Sequence, residues 1–395
     1  MAAKEVSQAS LGKILWTYEA LDKMRPTLLL TKKLVIGAIK GEDEIVALKR
    51  KNGTLAWIAH PPKSFQWSND KLALSPNEDT MALTLQDGDV WACELAKGRT
   101  TWTYKPTGGA KSLFTHQYLY SLTGIGSIHV LQWKSGGAIW RYRPLPEDIV
   151  ITAVTPYRRR LYLASRGGRA RVLGYKKGVQ IWQSDKIEEL ATVKPIVSSK
   201  RILLPTKDEK LVALHHYTGE LAWQYSFESA LTKAPLLSED RVTLCRKNGL
   251  VTSVNLDLGR TVWEREFKTP IGHVEVSNRY VLLHAPLKEE LIVLSARKGN
   301  TLWRKKVRLN EGQLFCQVRK SLIICGSSAD ITWQREIVAY HGRTGQVVWR
   351  LRLPQPLSSE IALGASRKLY CALGDTMLAA TFNPPSWSTV LEINH

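Results

Sequence analysis

Apolar residues in this chain come in short runs separated by polar turns, with no sustained helical spacing. The segment Pro235 to Trp263 is representative. Leu236-Leu237 is apolar and Ser238-Glu239-Asp240 is a polar turn. Arg241–Cys245 then reads as a short β-prone strand. Lys247-Asn248-Gly249 is a hairpin turn, because Asn-Gly tolerates the positive φ angles of a tight loop. Leu250–Val254 is a further strand, Leu258-Gly259 turns again, and Arg260–Trp263 is the last strand. The preceding unit has the same layout in Arg201–Leu204, Lys210–Leu214 and Glu220–Trp223. Period-two strands bounded by turn residues predict four short strands per unit.

The units are marked by glycine, three residues, then tryptophan. The pairs are Gly12/Trp16, Gly53/Trp57, Gly98/Trp102, Gly136/Trp140, Gly178/Trp182, Gly219/Trp223, Gly259/Trp263, Gly299/Trp303 and Gly345/Trp349. Successive tryptophans lie 38 residues apart at the closest (140 − 102) and 46 at the widest (349 − 303). Four-stranded modules of this length predict an all-β fold, a β-propeller of four-stranded antiparallel blades. The glycine is expected to make the left-handed turn before the fourth strand. The tryptophan is expected to project from that outer strand and wedge against a neighbouring blade. Nine of the 14 tryptophans are absorbed in this way, so the Trp content is not read as a ligand-stacking signal.

The pattern resembles the tryptophan-docking motif of quinoprotein-like (PQQ-like) propeller repeats. Ala213…Thr218-Gly219…Trp223 and Ala339…Thr344-Gly345…Trp349 match best, and Ala47…Gly53…Trp57 and Ala92…Gly98…Trp102 match less fully. An aspartate of the family motif is replaced in all eight later units, by Lys49, Glu94, Gln132, Gly174, His215, Asn255, Ser295 and His341. The resemblance covers nearly the whole chain. It speaks to fold and is almost silent on activity.

Trp57 to Trp349 end eight complete units. Leu11–Tyr18 is an outer strand with no inner strands before it, and three strands follow Trp349 without a fourth. Pairing the two ends would close the ring and remove exposed sheet edges. The literal count is then nine blades, whereas the family norm is eight. Eight follows if Asn383–Trp387 supplies its own outer strand. The repeat is unbroken, so residues 11–395 are expected to form a single β-propeller after a tail of residues 1–10.

Composition adds a second theme. Lys and Arg number 56 against 35 Asp and Glu, a formal net charge of +21. Such an excess speaks to association rather than fold. It implies an acidic protein, a nucleic acid or an anionic membrane face as partner. Five cysteines (Cys93, Cys245, Cys316, Cys325 and Cys371) sit in strand-like runs, as small buried hydrophobes of a reducing compartment do. A cross-strand Cys316–Cys325 bridge would need oxidising conditions. The N-terminal residues lack the apolar core of a signal peptide, and no apolar run is long enough to span a membrane. These features predict a cytoplasmic protein.

Two clusters stand out as partner-binding candidates. Arg158, Arg159, Arg160, Arg166, Arg169 and Arg171, with Lys176 and Lys177, form a stretch no acid interrupts. Guanidinium forks suit phosphate and carboxylate alike, and turn positions would let these residues gather on one rim. Arg304, Lys305 and Lys306 follow Trp303, as Arg141/Arg143 and Arg350/Arg352 follow their tryptophans. Charges on outer strands also deter strand addition, which is the simpler reading there.

Other chemistry is weakly signalled. His215-His216 would point to opposite faces of a strand and cannot easily share a metal. Asp87-Gly88-Asp89 reads as a hairpin loop. Quinoprotein dehydrogenases of similar fold carry an adjacent cysteine pair and an acidic calcium set, and this chain has no Cys-Cys. No catalytic residues, no metal and no cofactor are assigned. The expectation is a non-catalytic interaction scaffold that docks acidic partners within a multi-subunit assembly. One alternative is an RNA- or DNA-associated propeller that binds through phosphate contacts. Another is a propeller similar to the outer-membrane protein assembly factor. That role implies a lipid-bearing cysteine, and no Cys precedes Cys93.

Overall fold

Each polar-bounded apolar run forms a β-strand in the computed structural model. It describes residues 9–41, 43–115, 117–144, 151–187, 190–191, 194–307, 313–328, 335–364 and 367–384. Residues 385–387 of the alternative outer strand Asn383–Trp387 lie outside the described residues. The chain opens with β1 (Ser10–Leu11) and β2 (Ile14–Glu19). Blade one follows as β3 (Leu29–Leu30), β4 (Leu34–Ala38), β5 (Ile45–Lys49) and β6 (Leu55–Ala59). Blade two is β7 (Leu72–Leu74), β8 (Thr80–Thr84), β9 (Val90–Glu94) and β10 (Thr100–Tyr104). Blade three is β11 (Ala110–Thr115), β12 (Leu119–Thr123), β13 (Ile128–Leu131) and β14 (Ala138–Tyr142). Blade four is β15 (Ile151–Tyr157), β16 (Arg160–Ser165), β17 (Ala170–Gly174) and β18 (Gln180–Gln183). Blade five is β19 (Ile196–Val197), β20 (Arg201–Pro205), β21 (Lys210–His215) and β22 (Leu221–Ser226). Blade six is β23 (Leu236–Ser238), β24 (Arg241–Cys245), β25 (Leu250–Asn255) and β26 (Thr261–Glu266). Blade seven is β27 (His273–Val276), β28 (Tyr280–Ala285), β29 (Glu290–Ser295) and β30 (Thr301–Lys306). Blade eight is β31 (Leu314–Arg319), β32 (Leu322–Ser327), β33 (Glu336–His341) and β34 (Val347–Arg352). Blade nine is β35 (Ala362–Gly364), β36 (Lys368–Leu373) and β37 (Thr376–Thr381), with β2 as its outer strand.

The fold is thus an all-β, nine-bladed propeller of four-stranded antiparallel blades, and the count is nine rather than eight. The N-terminal strand β2 pairs antiparallel with β37, Trp16 opposite Ala379 and Tyr18 opposite Met377, so the two chain ends share one sheet. Just before it, β1 lies parallel on the outer edge of β34, with Ser10 opposite Trp349, as a fifth strand.

Two compact units are formed, Met1–Ile58 with Asn248–Val251 and Trp263–His395, and Ala59–Lys247 with Thr252–Val262. The first holds blades seven, eight and nine and blade one up to Ile58, and the second holds blades two to five. The division runs through blade six. Burial follows strand position. Second and third strands are buried on both faces, as in β4, β8 and β12, which is why they read as continuous apolar runs. Fourth strands are half exposed: in β26 only Trp263 is buried. Within the first unit, Trp16, Val46, Tyr370 and Met377 share one core cluster, and Trp349, Leu369, Leu378 and Phe382 another.

Candidate interaction surface

The tryptophans are placed by the turns that follow them. In the first unit, Trp263 Nε1 donates to the Ala296 carbonyl at 2.8 Å, Trp303 to Gly342 at 2.9 Å and Trp16 to Arg50 at 3.3 Å. In the second unit, Trp102 donates to Trp133 at 2.8 Å, Trp140 to Tyr175 at 3.2 Å, Trp182 to His216 at 3.3 Å and Trp223 to Leu256 at 3.0 Å. Every acceptor stands three residues before the next motif glycine. The carbonyl one residue earlier is already engaged by that glycine's own N–H, as Gly299 N–H donates to Ser295 at 2.8 Å. The tryptophan ring covers the glycine itself, and a Cβ at Gly299 would overlap the ring of Trp263. Trp57 is buried as well. Trp349 packs on Gly12, although its indole N–H has no hydrogen-bond partner. Eight of the nine motif glycines have a positive φ, and Gly12 does not. It has no third strand to turn from, because blade nine is completed by the other end of the chain.

Blade four divides the arginine cluster. Arg158 and Arg159 form the β15–β16 turn, whereas Arg166 and Arg169 lie in the β16–β17 turn. Successive turns of an antiparallel meander sit at opposite ends of the strand between them. The six residues of β16 separate the two groups by roughly 17–20 Å. These residues therefore do not gather on one rim. Arg171 is a second correction. It lies on the inner strand β17, is 2% exposed, and donates from Nη1 to the Tyr142 hydroxyl at 2.8 Å. An inner strand has neighbouring blades on both faces, so alternation does not bring its side chains to the surface.

Arg158, Arg159 and Arg160 are joined by Lys176 and Lys177 of the β17–β18 turn. Arg160 pairs with Gly174 across the ladder, and Tyr175 N–H donates to the Arg159 carbonyl at 3.3 Å. Blade five brings aromatic residues to the same end. The guanidinium carbon of Arg160 stands 5.3 Å from the ring centre of Tyr217, and that of Arg158 stands 5.4 Å from the ring of Tyr157. Tyr217 is 60% exposed. Beneath it His216 is buried, its Nε2 2.8 Å from the Tyr162 hydroxyl. Burial, then the charges of Arg160 and Arg158, hold the His216 imidazole below its ordinary pKa, against a hydrogen bond that the imidazole donates to the Ser198 backbone. Burial also pushes the Tyr162 hydroxyl up to about 12. The result is a fixed cationic and aromatic surface over a neutral imidazole. No acidic residue occurs between Ile151 and Ser184.

The second cluster is arranged differently. Arg304 and Lys306 on β30 both face Glu290 of β29, at 3.5 and 3.4 Å. Lys305 Nζ lies 5.2 Å from the ring centre of Tyr340. Blade eight repeats the scheme, with Arg350 and Arg352 3.7 and 3.4 Å from Glu336. A third-strand glutamate thus offsets the basic pair on each of these outer strands.

His215 is exposed and His216 buried, and no group of metal-ligating residues occurs among the described residues. Asp87-Gly88-Asp89 is a hairpin loop whose two carboxylates face Lys63. Cys316 and Cys325 pair across β31 and β32 with Sγ atoms 2.7 Å apart as free thiols. No helix among the described residues is long and apolar enough to cross a membrane. Residues missed from sequence are Tyr217 and those of a cleft of about 300 Å³, walled by Val212, Leu214 and Leu221 and lined also by Asp185, Lys186 and Lys210. The short β18 ends at Gln183 and leaves this wall uncovered. The only sequence signal for Tyr217 is its place two residues before a motif glycine, in the repeat after the arginines.

Comparison with known proteins agrees with this architecture. The family model described as outer membrane protein assembly factor BamB matches residues 5–112, 86–305 and 218–383. No curated protein matches the sequence. Among solved structures, BamB from Moraxella catarrhalis is 13% identical, with 97% of this chain and 99% of that one covered at a TM-score of 0.56. Sqt1 from Saccharomyces cerevisiae is 11% identical, with 81% and 100% covered at 0.56. The dihydro-heme d1 dehydrogenase NirN, in complex with DHE, is 12% identical, with 87% and 79% covered at 0.59. At such identities the likeness is one of fold.

Proposed function

The chain belongs to the family of the outer membrane protein assembly factor BamB, and on that premise we propose a non-catalytic scaffold that docks an acidic protein segment on blades four and five. The observation that carries this reading is the Arg158–Arg160 group set against the exposed ring of Tyr217. Arginine and tyrosine are the residues that anchor protein interfaces, and guanidinium groups take carboxylates bidentately. A cleft on the same blade as Tyr217, lined by Leu214, Gly219 and Leu221, offers a seat for a side chain of the same segment. A reducing, cytoplasmic setting fits the five free thiols. An assembly role, as in the description of the family, is compatible with this docking. The RNA- or DNA-associated reading rests on a different part of the surface.

The test is affinity capture from nuclease-treated lysate with the full-length protein and its R158S/R159S/K176S/K177S variant. Protein partners held by the wild type and lost by the variant, with an unchanged Tm, support docking here. Exposed charges contribute little to stability and much to encounter. Equal capture by both proteins overturns the assignment, and loss of every partner on nuclease treatment alone favours nucleic acid.

A further inference from the structure

The turns before the outer strands make a charged surface of another kind in the first unit. In a four-stranded meander the first-to-second and third-to-fourth turns lie at one end. In blade one these turns are Thr31–Lys33 and Arg50–Thr54, with Lys33 and Lys51 exposed. In blade seven they present Arg279, Arg297 and Lys298. Blade eight presents Arg343, and blade nine presents Arg367. None of these seven cations is paired with a carboxylate among the described residues. None of the described residues in these turns is an aspartate or glutamate, and none is aromatic.

The tryptophans bring these turns together. Trp303 of blade seven bonds to the blade-eight turn at Gly342, Trp349 of blade eight covers Gly12 of blade nine, and Trp16 of blade nine bonds to the blade-one turn at Arg50. Four successive blades are therefore fastened at the end that carries the cations. Arg50 itself is spent on structure, donating to the Thr31 carbonyl at 2.6 Å and to the Tyr370 hydroxyl at 3.2 Å. The opposite end of the same unit is mixed in sign. Lys23, Lys40, Lys268 and Lys288 stand there with Asp22, Asp43, Glu44, Glu289 and Asp375.

We propose that this end of the first unit binds the phosphate backbone of a nucleic-acid duplex. Protein interfaces are depleted in lysine and centred on aromatic and apolar groups, and these turns offer neither. Nucleic-acid interfaces are polar and strongly positive, and a duplex presents one charge per roughly 1.7 Å of axis along its outside. A single strand is less suited, because its unpaired bases need aromatic platforms. Base-specific reading is not part of the proposal, since the contacts are to phosphate.

The experiment uses the purified full-length protein and a fluorescein-labelled 20-base-pair DNA duplex, read by anisotropy from 50 to 200 mM salt. Wild-type binding should weaken steeply with salt. R297S/K298S/R343S should weaken binding several-fold at low salt and reduce the slope of log Kd against log salt by about 2–3, at about 0.9 per lost phosphate contact. K23S/K40S/K268S removes equal charge from the opposite end and should have little effect. All six positions are exposed, so both variants should keep the wild-type Tm. Equal effects of the two triple variants would mean that net charge alone is sensed, and the proposal fails. It also fails if the same-length single strand or poly-glutamate competes better than the duplex. The blade-four docking reading is tested after nuclease treatment with other variants, so either can fail alone.

Discussion

The indole of Trp349 lies on Gly12, 337 residues earlier in the chain (349 − 12), so closely that a Cβ at Gly12 would overlap the ring. The same contact joins Trp263 to Gly299 within a run of consecutive repeats. A recurring local contact therefore also fastens the two ends of the chain. The two glycines differ in one respect: Gly299 has a φ of +68°, whereas Gly12 has no positive φ.

Alanine substitution separates the two demands on glycine. Gly12→Ala meets the Trp349 ring and the Leu351 Cβ but keeps an ordinary backbone, and should cost about 1–3 kcal/mol, the range for overpacking a filled site. Gly299→Ala meets the ring and must also adopt a left-handed backbone, which adds roughly 1–2 kcal/mol. Denaturant unfolding of both variants gives the comparison. If Gly299→Ala is the milder change, the backbone does not need glycine at that turn.

The indole N–H groups divide similarly. Trp263 Nε1 donates to Ala296 at 2.8 Å, but Trp349 Nε1 is buried without a partner. Trp263→Phe should lose a hydrogen bond worth about 1 kcal/mol beyond the change in packing. Trp349→Phe removes an unsatisfied donor and keeps an aromatic edge toward Phe382, whose ring centre is 4.9 Å away. It should therefore be the less destabilising of the two by urea unfolding, and the reverse order would show that the Trp349 donor is satisfied in solution.

The repeat, the strand order and the closure by Ile14–Glu19 were legible because each blade repeats one pattern of turn and strand. The surface was less so. Whether arginines share a rim depends on how many turns separate them, and one strand lies between Arg159 and Arg166. That signal was present in the hairpin spacing. The burial of Arg171 was not, because period-two alternation suggests an exposed face and an inner propeller strand has none. Tyr217 was hidden for another reason. It meets Arg160 across a blade boundary, between residues 57 positions apart (217 − 160). The cations of the first unit come from four separate repeats, and no window of sequence shows them as a cluster.

Arg171 therefore belongs to stability rather than to docking. Arg171→Ser should cost about 1.5–3 kcal/mol, because it removes a buried charged donor from Tyr142. Arg159→Ser, at an exposed turn, should change stability by less than about 0.5 kcal/mol. Thermal or urea unfolding of the two single variants distinguishes them, and equal small losses would return Arg171 to the surface group.

Buried histidines make the stability of this protein depend on pH. His129, His216 and His284 are buried, and burial holds all three imidazoles below their ordinary pKa. In the unfolded chain a histidine titrates near 6.5, at about its unperturbed value. Between the depressed folded pKa and about 6.5 the unfolded chain binds protons that the folded chain refuses, so stability rises with pH across that window. The stabilisation is complete above about 6.5 and is lost as the pH falls toward the folded value. The Tm should accordingly drop between pH 7.5 and pH 5. His216→Gln keeps a polar partner near the Tyr162 hydroxyl without a titrating ring, and its Tm should fall less over the same interval. Carboxylates contribute equally to both proteins, so the difference between the two slopes isolates His216. Parallel slopes would mean that His216 takes up a proton in the folded protein as readily as in the unfolded chain, against the burial and the arginine charges that surround it.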